Sequence, residues 1–376
     1  MANSGQAATG GPAAGTTCEA VLVVPGAAHS ATLGTTEVWA PGRGEIQLRV
    51  LEVGVCGTDA EIDAGLYGEA MPGRERLVLG HECLAEVSAV GEGVEGFRAG
   101  DLAVPIVRRP CPEMCPPCAA GRWDMCRTGH YSEHGIARAD GFMRAFATVG
   151  ADAAVALAAA LRPVGVLTEP LTIVEKAVME AYDIQRRLPW RPARALVTGA
   201  GPVGLLAALV LRTRDLAVDV LDREPEESLK ARLVGRAGAR YLRADADGLA
   251  HAAPAGGYDL ALEATGFAPL LFACLEVLAP DGILVLTGVS GGHRRVEVDA
   301  AAVNKRAVLE NQVIFGSVNA ARAHYEQAVR DLGEFERRFP GLTQDLITAR
   351  HPLAAFRAAM DKGVDDVKSV VEVAAR

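Results

Sequence analysis

Cys56, His81 and Glu82 stand in two short glycine-marked segments, Val55-Cys56-Gly57-Thr58-Asp59 and Leu79-Gly80-His81-Glu82, and Glu169 opens Glu169-Pro170-Leu171 further along. A thiolate, an imidazole and carboxylates are the ligand types of a zinc ion that keeps one coordination position open for a substrate. Taken singly, each has a plainer alternative: a buried thiol, a hydrogen-bonded core imidazole, a carboxylate beside a helix N-terminus. A second feature, Gly199-Ala200-Gly201-Pro202-Val203-Gly204, follows the apolar run Ala195-Leu196-Val197. Between a strand and a helix, such glycines bring backbone amides and the helix N-terminus to a pyrophosphate. A Lewis-acidic metal beside a dinucleotide is the apparatus for moving hydride at a carbon that carries oxygen.

Four further thiols crowd one proline-rich stretch: Cys111, Cys115, Cys118 and Cys126. Four thiolates complete a tetrahedral shell, so a zinc held there would be structural. Free thiols or a disulfide pair are the alternative. Residues 1–17 carry no apolar run and no positive cluster, which argues against a secretory leader and so against disulfides. They read as a disordered tail, and the expected compartment is the cytoplasm.

These residues must be positioned by two kinds of structure. Residues 18–24, 45–55, 87–90 and 102–107 read as short strands punctuated by glycine, with Cys56 and His81 at strand ends. Residues 151–189 read as mostly helical, and 188–192 as a linker. From residue 194 strands and helices alternate: 194–198, 217–222, 258–263 and 282–288 as strands, 205–212 as a helix, and a later helix over 321–332. That alternation predicts a doubly wound parallel sheet. Asp222 ends the second strand of this region, where a carboxylate accepts bonds from ribose hydroxyls and favours NAD over NADP. Arg223 beside it is either a solvated surface group or a grip for a 2′-phosphate.

The composition is that of an ordinary globular enzyme: half of the 376 residues are hydrophobic, 23% are charged, and the formal net charge is -9. An acidic chain without a basic run has no general attraction for nucleic acid, and its apolar stretches are too short to span a membrane.

Together the motifs resemble the zinc-containing medium-chain alcohol dehydrogenase superfamily, in its glucose dehydrogenase branch. The residues that carry the resemblance are Cys56-Gly57-Thr58-Asp59, Gly80-His81-Glu82, Val107-Arg108-Arg109-Pro110, Glu133-His134-Gly135-Ile136, Asp140-Gly141-Phe142-Met143, Glu169-Pro170-Leu171 with Glu175-Lys176, and Gly316-Ser317-Val318-Asn319. The first gap in the cysteine lobe is longer than that branch's usual pattern. The resemblance implies an α/β chain with two parts. A GroES-like, mainly β catalytic domain would span 18–189 and 318–376, with the zinc lobe near 111–126. A Rossmann dinucleotide-binding domain would span 190–317.

It further implies a catalytic zinc on Cys56 and His81, with Glu82, Glu169 or a water completing the shell. Thr58 would relay a proton, its alternative being a turn residue bonded to its own backbone. The cofactor would lie against Gly199, Gly201, Pro202, Val203, Gly204, Asp222, Arg223, Thr265, Gly266, Val289 and Ser290. Glu133 and Asn319 would contact a sugar, or else serve as satisfied structural polar groups. The implied activity is oxidation of an aldose at C1, with zinc and a nicotinamide cofactor, in a homo-oligomer of two or four chains. Val107, Ile173 and Leu309 are apolar where some sugar dehydrogenases carry polar contacts, which keeps a polyol or cyclitol substrate open. A non-catalytic dinucleotide-binding protein is the alternative of another class.

Overall fold

The strand Glu45–Val55 is buried along nearly all of its length, as its run of Ile46, Leu48, Val50, Val53 and Val55 requires. In the computed structural model, which describes residues 15–244, 249–291, 293–361 and 363–374, this strand organises a seven-stranded sheet. The sheet order is Ala154–Leu157, Leu102–Pro105, Glu82–Val90, Glu45–Val55, Lys368–Glu372, Ile347–Pro352, with Phe146–Gly150 also paired to Glu45–Val55. Its apolar residues pack with Ile62, Leu79 and Met143 into one core. The register sets Gly54 opposite Glu82. A Cβ at Gly54 would lie 2.0 Å from Glu82 Oε2, so only glycine leaves the carboxylate room to lie across the sheet. Gly80 has φ +90°, a conformation that favours glycine, and it turns the chain from the short strand Leu77–Val78 into His81 and Glu82–Val90.

Six parallel strands form a second sheet in the order Arg240–Arg243, Ala217–Asp222, Arg194–Thr198, Tyr258–Glu263, Leu278–Leu286, Val313–Gly316. Numbered along the chain this is 3-2-1-4-5-6, the doubly wound order expected from the alternation of strands and helices. Its central strands, Arg194–Thr198, Tyr258–Glu263 and Leu278–Leu286, are largely buried and apolar, as in parallel sheets packed against helices.

Contacts divide the chain into two compact units: Met1–Glu169 with Ala320–Val329 and Ile347–Arg376, and Pro170–Asn319 with Arg330–Leu346. The helix Thr168–Ile184 thus belongs, from Pro170 on, with the parallel sheet rather than ahead of the 188–192 linker. Glu175 on that helix accepts a hydrogen bond from Arg214 at 3.2 Å, and Gln185 after it donates to the Asp281 carbonyl, which ties the segment to the second unit.

Two local expectations are corrected. The tail expected over 1–17 lies outside the described residues through residue 14, and Thr16 already begins the strand Thr16–Val23. Residues 151–167 are not helical in the expected sense: 3-10 turns flank the strand Ala154–Leu157, whose pairing with Leu102–Pro105 overrides the helix propensity of its alanines. Cys18, in the strand Thr16–Val23, is half-buried, its sulfur 3.9 Å from the Phe146 carbonyl. Among the described residues no helix is long and apolar enough to cross a membrane.

Candidate metal and active site

Cys56 ends the buried strand Glu45–Val55 and caps the helix Gly57–Asp63. Its sulfur accepts the Thr58 N–H at 3.3 Å, and the Asp59 carboxylate returns to the Cys56 N–H at 3.0 Å. This is a capping box in which a thiol replaces the usual hydroxyl. The first turn of the helix therefore fixes the sulfur and places Thr58 beside it. Across the sheet, the Gly80 turn sets His81 Nε2 3.2 Å from Cys56 Sγ. Ligand atoms of Cys56, His81 and Glu82 all lie within 4.8 Å of one another.

The donor set fits a cation. His81 Nδ1 and Asp59 Oδ1 are buried without other partners among the described residues and face each other at 3.6 Å. Asp59 thereby orients the ring so that Nε2 points at Cys56, as an outer-shell carboxylate does for a metal-bound imidazole. Burial alone would lower the His81 pKa, yet the Cys56 sulfur and the Asp59 carboxylate outweigh it and hold that pKa well above its ordinary value. The field around Nε2 thus favours positive charge, supplied by a proton or a metal ion. Bonds of about 2.3 Å to sulfur and about 2.0 Å to nitrogen, at a tetrahedral angle, would separate the two ligand atoms by roughly 3.5 Å.

Glu82 has a competing partner. Lys368, itself buried, is ion-paired with Glu82 Oε2 and donates to the Val55 carbonyl at 3.2 Å. Burial would lower the lysine pKa, but Glu82 raises it, so the ammonium persists. Glu169 does not join the three-residue group. It is buried nearby, and burial, abetted by Glu82 and opposed by His81, pushes its pKa up to about 7.

The four lobe thiols do come together. Ligand atoms of Cys111, Cys115, Cys118 and Cys126 lie within 4.8 Å of one another, with Cys115 and Cys126 sulfurs 3.9 Å apart. A disulfide would bring two sulfurs to about 2.05 Å, whereas a tetrahedron with bonds of about 2.3 Å has an edge near 3.8 Å. Burial pushes Cys118 up to about 12. Against burial, the Thr128 hydroxyl and the N–H groups of Thr128 and Gly129 draw Cys126 down to about 6. The longer first gap is absorbed by Met114 in a left-handed conformation, φ +46°.

In the second unit, Gly199–Gly204 lies between the strand Arg194–Thr198 and the helix Pro202–Thr213. A Cβ at Gly204 would sit 1.8 Å from the Gly199 carbonyl oxygen, so the loop and helix pack this closely only with glycine. Asp222 accepts from the Ala200 N–H at 2.6 Å and the Glu224 N–H at 3.1 Å, so it also braces the loop. Arg223 is exposed, 3.4 Å from Glu224. The Thr265 and Gly266 N–H groups are held by Glu263, the Ser290 hydroxyl donates to the Gly266 carbonyl at 2.7 Å, and Val289 is exposed beside it. Asn319 follows Val318, whose carbonyl is held by buried Lys176 at 2.7 Å. In the first unit Glu133 is buried against Arg108 at 2.9 Å.

Two residues around the candidate ligands gave little or no signal in the sequence. Asp59 lies in a quoted motif, and its position three residues after a cap was the available signal. Lys368 gave none, being brought to Glu82 only by the pairing of Lys368–Glu372 with Glu45–Val55.

Comparison with known proteins agrees with this architecture. The alcohol dehydrogenase GroES-like domain matches residues 42–159, and the glucose dehydrogenase C-terminus matches residues 162–373. A glucose 1-dehydrogenase of Methanocella arvoryzae is 40% identical over 95% of this chain and 100% of its own. One from Thermoproteus tenax is 42% identical over 94% and 99%. The structure of Haloferax mediterranei glucose dehydrogenase in complex with NADP, Zn and gluconolactone superposes with a TM-score of 0.85 at 31% identity, covering 95% of this chain and all of that one. With both domain families matched in order and a thiolate–imidazole–carboxylate cluster in the first of them, the chain belongs to the zinc-dependent medium-chain alcohol dehydrogenases, in the glucose dehydrogenase branch, and is an oxidoreductase acting on CH–OH groups.

Proposed function

We propose that this enzyme oxidises an aldose at C1, converting the anomeric hydroxyl to a lactone carbonyl while NAD is reduced and a proton is released. The observation that carries the reading is the Cys56–His81–Glu82 cluster in a chain so similar to glucose 1-dehydrogenases along its whole length. Bound there, zinc supplies Lewis-acid polarisation of the substrate oxygen, and bound at the glycine loop the nicotinamide supplies the hydride acceptor. Cys56 and His81 are the ligands, Glu82 and Glu169 alternate with water as a further one, and Asp59 keeps the imidazole in register. Thr58, in the first turn beside the sulfur, takes the hydroxyl proton and passes it outward. Glu133 and Asn319 hold sugar hydroxyls. Cys111, Cys115, Cys118 and Cys126 hold the structural zinc.

The catalytic role is assigned to residues 18–189 and 318–376 and the dinucleotide role to residues 190–317, although 170–189, 318–319 and 330–346 pack within the second unit. Gly199, Gly201, Pro202, Val203 and Gly204 receive the pyrophosphate, and Thr265, Gly266, Val289 and Ser290 line the cofactor. NAD is favoured because Asp222 stands at the ribose end of its strand and Arg223 is turned to Glu224. The Haloferax relative holds NADP, so steady-state comparison of the two cofactors at one sugar concentration is the discriminating measurement. A cytoplasmic homo-oligomer completes the reading.

A polyol or cyclitol substrate is the second reading, favoured by buried, apolar Val107. A screen of aldoses, polyols and cyclitols, followed by reduced-nicotinamide absorbance, tests both: aldose turnover supports the first, and turnover of polyols or cyclitols alone replaces it with the second.

A further inference from the structure

Arg108 is a buried guanidinium held at three points, all within the first unit. It lies on the short strand Arg108–Arg109, paired directly with Glu133 on Ser132–His134. Nε and Nη2 reach Glu133 Oε1 at 3.0 and 2.9 Å. Nη1 donates to the Asp124 carbonyl at 3.1 Å, and Cζ lies over the Tyr131 ring, 3.8 Å from its centre. Asp124 belongs to the turn Trp123–Met125, between lobe cysteines Cys118 and Cys126. That turn is itself braced, since Arg122 grips the Asp124 carboxylate at 3.3 and 3.2 Å. The strand end is fixed as well: the Val107 N–H donates to the buried Tyr325 hydroxyl at 3.2 Å.

A buried ion pair tolerates desolvation only when its geometry is fully determined, and a planar fork with a stacked ring supplies that determination where a lysine does not. The Glu133 carboxylate is thus aimed by Arg108, and Arg108 is aimed by the turn inside the cysteine lobe. We propose that Arg108 is a positioning residue: it transmits the shape of the lobe to Glu133 and so sets the affinity for a sugar without touching it. The lobe would then serve substrate binding and not stability alone. The proposal rests on the reading of Glu133 as a sugar contact.

The test is a double-mutant cycle on the zinc-loaded enzyme, with kcat and KM measured for its preferred aldose and thermal unfolding for each variant. Glu133→Gln and Arg108→Gln should each raise KM by about tenfold or more, the loss of one charge-assisted hydrogen bond, with kcat within about threefold of the parent. The double variant should be no worse than the worse single one. Arg108→Lys should restore part of the affinity, and Tyr131→Leu should raise KM in the same direction while Tyr131→Phe does not. If Arg108→Gln fails to fold, Arg108→Lys and the Tyr131 pair decide.

An unchanged KM in Glu133→Gln overturns the reading of Glu133 and the proposal with it. A raised KM in Glu133→Gln overturns the Arg108 proposal alone if the Arg108 and Tyr131 variants shift only the unfolding midpoint, or if the two effects multiply in the double variant.

Discussion

Lys368 and Glu82 form a buried ion pair inside the first unit, with the ammonium also bonded to the Val55 carbonyl one residue before Cys56. The pair ties Glu82, one proposed ligand, to the strand that leads into Cys56, another. Removing one partner leaves an uncompensated charge out of water, so Lys368→Met should cost about 3–5 kcal/mol in stability. Restoring neutrality in Lys368→Met/Glu82→Gln should recover much of it. Denaturant unfolding of the three proteins checks this; equal losses in the single and double variants would contradict it.

Asp59 faces His81 Nδ1 at 3.6 Å and holds the Cys56 N–H, so it orients both proposed ligands at once. Asp59→Asn should weaken zinc affinity or activity by about 10–100-fold, the usual cost of losing an outer-shell carboxylate. Competition against a chelator, followed by metal analysis, reads this directly. An affinity equal to the parent's would show that the imidazole needs no such orientation.

Glu175 gives the fold a pH dependence. Its burial, with the neighbouring Asp331 carboxylate and against the attraction of Arg214, pushes the folded pKa up to about 9 from 4.5. Between those values the folded protein keeps a proton that the unfolded chain has released, so stability falls as pH rises through that window. Below 4.5 the contribution is fully present. The slope approaches one proton, about 1.4 kcal/mol per pH unit. Glu175→Gln should flatten it, as measured by denaturant midpoints from pH 5 to 9; an unaltered profile would remove Glu175 as the cause.

Asp222 both ends its strand and braces the Ala200 N–H. Asp222→Ser should therefore lower kcat/KM for NAD while raising the NADP-to-NAD ratio about tenfold or more. A parent enzyme that strongly prefers NADP would overturn the assignment of Asp222 as the selector of NAD.

What the sequence made legible was chemistry carried by residue type within a short segment. The four lobe thiols, the Gly80-His81-Glu82 turn and the Gly199–Gly204 loop each mark a candidate site through local spacing, and the structure brings the thiols together and sets His81 and Glu82 beside Cys56. Partners supplied by sheet register were not legible: Lys368 meets Glu82 because distant strands pair with Glu45–Val55, and nothing near Lys368 marks it. Residues 154–157 misled for a related reason. Alanine favours helix locally, but an open place beside Leu102–Pro105 recruits them as a strand. The contact of Arg108 with Asp124 was invisible because a backbone carbonyl has no signature in sequence.

The central claim is that a zinc held by Cys56 and His81 carries turnover. Zinc content and sugar-dependent nicotinamide reduction, measured together on the parent, Cys56→Ser and Cys115→Ser, test it most directly. Two zinc ions per chain are expected in the parent, about one in Cys56→Ser with a folded but inactive protein, and about one in Cys115→Ser with a lowered unfolding temperature. Near-parental turnover in Cys56→Ser would contradict the account.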